Sequence, residues 1–167
     1  MWNHRDRFSI QFRDWIETTP MTPALDPASP PPAPRRWMRG WLVAAGIYNL
    51  LWGIPVILTP DLPFQLAGMD SLPDPGRAIW QCLGMVIGVY GVGYLAASRD
   101  PIRHWPIVLV GLLGKIFGPI GFAWAASRGA IDWSFGWTIL TNDLIWWIPF
   151  GGILLAAWRA NHPAAKS

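Results

Sequence analysis

At 167 residues, with 52% hydrophobic and only 14% charged side chains and 13 tryptophans, the chain is too apolar for an ordinary water-soluble domain. Its net charge of +3 comes from cations scattered at the ends of apolar segments, which argues against a nucleic-acid partner. Cys82 is the single cysteine, so no intrachain disulfide, CxxC redox pair or cysteine-based zinc site can form, and no other residues make an adequate metal site.

The first 36 residues differ in kind from the rest. MWNHRDRFSIQFRDWIETT carries Phe8, Phe12, Trp15 and Ile16 at helical spacing among charges, and PALDPASPPPAPRR reads as an extended proline-rich linker. The leader is expected either to lie as an amphipathic helix on the inner leaflet or to remain a flexible tail, and translation from Met38 is a further alternative. It lacks an apolar run of signal-peptide length, so no cleavage is expected.

Four later segments reach the roughly 20 residues that a helix needs to cross a hydrocarbon core. They fall near residues 38–59, 77–98, 102–126 and 135–158. Short connectors at 99–101 and 127–134 make consecutive helices antiparallel neighbours, while the 60–76 loop, with four prolines, has room for an external cap. The expected fold is all-α: an integral membrane up-down four-helix bundle spanning residues 37–159, followed by a tail at 160–167.

Orientation follows from the cations. Arg35, Arg36 and Arg39 precede the first helix, Arg99 and Arg103 flank the second connector, and Arg159 and Lys166 follow the last helix, so these ends should be cytoplasmic. Asp61, Asp70, Asp74 and Asp132 dominate the opposite side, against Arg77 and Arg128. Trp37, Trp41, Trp105 and Trp158 would mark the inner interface, and Trp80, Trp124, Trp133 and Trp137 the outer one. His4 and His162 fall in tails, and His104 at a helix start has an interface role.

Gly84, Gly88, Gly91 and Gly93 in the second segment, and Gly111, Gly114, Gly118 and Gly121 in the third, predict tight packing between those two helices. They lie inside apolar spans, without the strand-to-helix setting of a phosphate loop. Pro119 and Pro149 should free main-chain carbonyls near the middle of the third and fourth helices.

Lys115 and Asp143 are the residues that most need explaining. Each sits well inside an apolar run, where a charge costs about 2.5–3.5 kcal/mol on insertion scales. At 1.5 Å of rise per residue they lie roughly 17 Å and 12 Å below the outer ends of their helices, so the lysine stem can bring them into an ion pair. Asn49, Tyr90 and Asn142 supply polar groups at similar depth, Gln81 and Tyr48 extend the set, and Trp146, Trp147 and Phe150 would cover an apolar tail.

The run WQCLGMVIGVYGVGYLAASRDPIRHWPIVLVGLLGKIFGPIGF, followed by TILTNDLIWWIPFGGIL, resembles an uncharacterised family of small bacterial four-helix membrane proteins. The resemblance covers roughly residues 41–158 and implies a bacterial inner-membrane location. Some members carry the label alkyl hydroperoxide reductase. Such chemistry needs an activated thiolate and generally a resolving thiol, whereas Cys82 lies in an apolar helix with no cation close in sequence.

Three functional classes follow. In the first, Lys115 and Asp143 anchor a small amphipathic or anionic molecule, with transport requiring a homodimer or a membrane-protein partner. The second is a lipid- or quinone-modifying enzyme with Lys115 as acid or base and Asp143 setting its pKa. The third is an assembly or accessory subunit in which the pair only fixes helix register. None calls for a bound cofactor.

Overall fold

A computed structural model of the chain describes residues 36–66 and 68–162; the expected leader, and the tail beyond residue 162, lie outside the described residues. The described residues form helices without strands, and four of the helical segments are long and apolar enough to cross a membrane.

Helix α1, Arg36–Leu58, is an almost unbroken apolar run. It stops at Thr59-Pro60, where the Thr59 hydroxyl and main-chain N–H both donate to the Pro55 carbonyl, at 2.9 and 2.7 Å. A short helix α2, Leu62–Leu66, then lies against the start of α3, Gly76–Ala97. Phe64 meets Trp80 edge-on at 5.5 Å, and Asp61 pairs with Arg77 at 3.4 Å.

The next helix, α4, spans Trp105–Ser127 and starts three residues later than the apolar pattern implies. The delay is local chemistry. The Asp100 carboxylate accepts from the Arg103 N–H at 3.1 Å and the Asp100 carbonyl from His104 N–H at 3.0 Å, closing a turn around Pro101. Helix α4 can begin only after it, with Pro106 in the first turn, where a missing N–H is harmless.

The last apolar segment, Trp133–Asn161, is composite where the sequence predicts one α-helix. A 3-10 turn, Trp133–Phe135, is capped by Asp132, which accepts from Ser134 N–H at 2.8 Å. Helix α5, Gly136–Ile139, follows, then a π-helical turn at Leu140–Leu144, then α6, Ile145–Asn161.

The tightest seam joins α1 and α3, which corrects the expectation that the glycines bind the second and third apolar segments together. A Cβ on Gly53 would stand 2.6 Å from the Gly84 carbonyl and 2.8 Å from the Gly88 N, and one on Gly46 would stand 2.9 Å from the Gly91 carbonyl. Gly46 thus meets Gly91 while Gly53 meets Gly84, so the helices run antiparallel with their backbones in contact. Polar side chains pin the register: Asn49 donates to the Ile87 carbonyl at 3.3 Å, Gln81 to Ile57 at 2.9 Å and Arg39 to Arg99 at 3.0 Å. Helices α3 and α4 meet through Tyr94, whose ring occupies the space that Gly111 leaves open.

The burial pattern departs from that of a water-soluble protein because the outside is apolar as well as the core. A narrow core of Leu42, Tyr94, Val108, Trp146, Phe150 and Ile153 fills the centre. Large apolar side chains cover the outside, with Ile148 86% exposed and Leu51, Val89 and Phe117 also exposed. In water that surface would favour association, whereas hydrocarbon solvates it.

Candidate functional site

Lys115 and Asp143 are 8% and 7% exposed, on elements packed against each other. Two backbone irregularities put them there. Pro119 has no N–H, so the Lys115 carbonyl four residues earlier loses its helical partner. The Trp147 indole N–H supplies the substitute at 3.0 Å, tying α4 to α6. On the other side, the π-helical turn widens the ladder around Leu140–Leu144. Two of its carbonyls accept from side chains: that of Asn142 from the Lys115 ammonium at 2.5 Å, and that of Thr141 from the Trp146 indole at 3.1 Å.

The ammonium also lies 5.6 Å from the centroid of the Trp146 ring, within cation–π range. Trp146 is itself fixed, edge-on to Trp41 at 6.0 Å and against Tyr48 at 5.6 Å. The lysine is therefore held by a carbonyl and an aromatic face, both uncharged.

The expected contact ion pair between Lys115 and Asp143 is absent: among the described residues the ion pair in direct contact is that of Arg77 and Asp61. The physical reason is competition. The π-turn presents the Asn142 carbonyl to the ammonium, while the adjacent Asp143 side chain turns against Gly118, where its oxygens lie 3.1 and 3.2 Å from the position of an added Cβ. Asp143 stays within Coulombic reach of Lys115 and of the Tyr94 phenol. Among the described residues its carboxylate accepts no hydrogen bond and makes no ion pair.

The other expected site residues divide between the centre and the periphery. Trp146 and Phe150 are buried beside Lys115 and Tyr94, with Phe150 edge-on to Tyr94 at 5.1 Å. Trp147 works through its indole N–H and is 40% exposed. Asn142 contributes its main-chain carbonyl. Tyr90 is half-buried, 6.2 Å from the Tyr94 ring. Asn49 is spent in the α1–α3 seam, because its amide reaches the Ile87 carbonyl. Tyr48 accepts from Trp52 at 3.0 Å. Of the glycines, Gly84, Gly88 and Gly91 serve that seam, Gly111 receives Tyr94, Gly118 receives Asp143, and a Cβ on Gly114 would meet nothing within 4 Å.

Sequence reasoning missed Tyr94 and the role of Gly118. A signal existed for part of the site: proline four residues after a lysine announces a lysine carbonyl in need of a donor. Nothing in LTNDL announces a π-turn. Among the described residues no three His, Cys, Asp or Glu side chains gather as a metal site, and Cys82 is exposed on α3. Compared with protein-family models, curated proteins and solved structures, the chain has no match in any of the three.

Proposed function

We infer that the protein is a multi-pass integral membrane protein, an up-down bundle with both ends of its described region cytoplasmic, that binds the polar head of a small amphipathic molecule at Lys115 and Asp143. The observation that carries this reading is that two buried ionisable side chains lie at one level without neutralising each other in direct contact. A buried charge is costly unless compensated, and such residues inside spans favour function. Trp146 and Phe150 wall the site on the core side, and the exposed apolar surface offers a tail a continuous path.

Native mass spectrometry of the protein in gently solubilised membranes tests this. A co-purifying small molecule should accompany the wild type and be lost from Lys115→Met, from Asp143→Asn and from the double variant, even where the double variant regains stability. Retention of that molecule by the stable double variant contradicts a binding site.

A structural tie is the second reading, supported by the reciprocal bonds between Lys115 and the last segment: its ammonium to Asn142 and its carbonyl from Trp147. On that reading the double variant recovers stability and activity together, and no ligand is found.

A further inference from the structure

The Asp143 carboxylate, on a residue only 7% exposed, accepts no hydrogen bond among the described residues and rests on Gly118. Gly118 itself is exposed, and so are Gly114 and Gly121, one turn to either side on the same face of α4. A Cβ on either flanking glycine would meet nothing within 4 Å. The three glycines therefore leave an open trough along the outer face of α4, with an unbonded carboxylate at its midpoint. Trp147, 40% exposed and pinned to the Lys115 carbonyl, is close to that stretch, and exposed Phe117 and Ile120 belong to the same apolar surface.

We propose that this trough is a lateral port, through which a membrane-dissolved molecule with a hydrogen-bond-donating head on an apolar tail reaches Asp143 from the hydrocarbon layer. The inference rests on the binding reading above and adds its route and ligand class. The head is a donor because the open group presents acceptor oxygens that no donor reaches among the described residues, and the neighbouring ammonium already holds the Asn142 carbonyl and the Trp146 face. An anionic head would meet the carboxylate's repulsion. The route is lateral because buried Tyr94, Trp146 and Phe150 close the core side, whereas glycine removes the side chains that would close the outer side. A lone hydroxyl or amide in hydrocarbon lacks partners, so an acceptor reachable from the acyl chains draws it in.

The test uses the full chain in lipid vesicles with two carboxyl reagents, dicyclohexylcarbodiimide as the membrane-soluble probe and a water-soluble carbodiimide as the aqueous one. A protonated carboxyl adds across one C=N bond, its proton going to nitrogen and its oxygen to carbon. The O-acylisourea then rearranges to an N-acylurea without loss of atoms, and peptide mass spectrometry locates it.

At mildly acidic pH the membrane-soluble reagent should modify Asp143 several-fold faster than the aqueous one. Gly114→Leu and Gly121→Leu, which narrow the trough without touching Asp143, should slow it several-fold. Dodecanol should protect, and dodecyl methyl ether, which has no donor, should not. Modification by the aqueous reagent at an equal or faster rate, by neither reagent, or undiminished in both leucine variants overturns the port. Equal protection by alcohol and ether overturns the donor-head assignment. A dimer in native mass spectra that both leucine substitutions dissociate assigns the trough to a second copy of the chain, which also overturns it. Failure of the binding reading is separate: it shows as a co-purified molecule indifferent to Asp143→Asn, whatever the labelling.

Discussion

At the scale of single residues, the structure turns on main-chain groups that lost their ordinary partners. Pro119 orphans the Lys115 carbonyl and Trp147 satisfies it, so the two residues should be energetically coupled. Trp147→Phe should destabilise by about 1 kcal/mol through the lost hydrogen bond. In a Pro119→Ala background, where the restored main-chain N–H can serve the carbonyl, most of that loss should vanish. Reversible unfolding in mixed micelles measures the cycle, and additive effects would show that the indole bond contributes nothing. The glycines give a second contrast. Gly111→Ala and Gly53→Ala drive a methyl into Tyr94 and into the Gly84 backbone, and each should cost about 1–3 kcal/mol. Gly114→Ala meets open space and should be neutral or stabilising by up to about 1 kcal/mol. Equal effects at the three positions in the same unfolding assay would contradict the packing described.

At the scale of elements, the last apolar segment is the instructive one, because it passes through three helical types before settling into α6. Its first turn depends on Asp132, whose carboxyl is held below its ordinary value by hydrogen bonds from the Ser134 hydroxyl and main-chain N–H. A depressed carboxyl contributes its stabilisation in full above the ordinary carboxylate value and loses it as pH falls through the lowered one. The Ser134 amide resonance should therefore hold its bonded position at neutral pH and shift with a midpoint below the ordinary carboxylate value, with Asp132→Ala abolishing the titration. A midpoint at or above the ordinary carboxylate value would show that the cap is not formed. The π-turn further along serves a different end. By widening the ladder it supplies a carbonyl to Lys115 and leaves Asp143 free to face Gly118, which a regular α-helix at the same residues would not do.

At the scale of the whole molecule, cations at one set of helix ends and carboxylates at the other predict an orientation. In a Cys82→Ser background, single cysteines at positions 70 and 131 should react with an impermeant maleimide added outside intact cells, and one at position 99 only after permeabilisation. The reverse pattern would invert the topology. The helical character and four segments long and apolar enough to cross a membrane follow from local sequence, because apolar length and sparse charge are properties of local segments; the ends of those segments agree within three residues of expectation, although the last is divided among three helical types. The isolation of Lys115 and Asp143 among apolar neighbours was legible for the same reason. Their partners were not. Small residues announce close approach without naming which helix approaches, so the glycines of α3 face α1 while α4 receives a tyrosine in Gly111. The ion pair drawn from depth alone gave way to a carbonyl, because a π-turn and a proline redistributed the hydrogen-bonding groups that the lysine meets. Such choices are competitions among groups distant in the chain, and only the tertiary structure decides them.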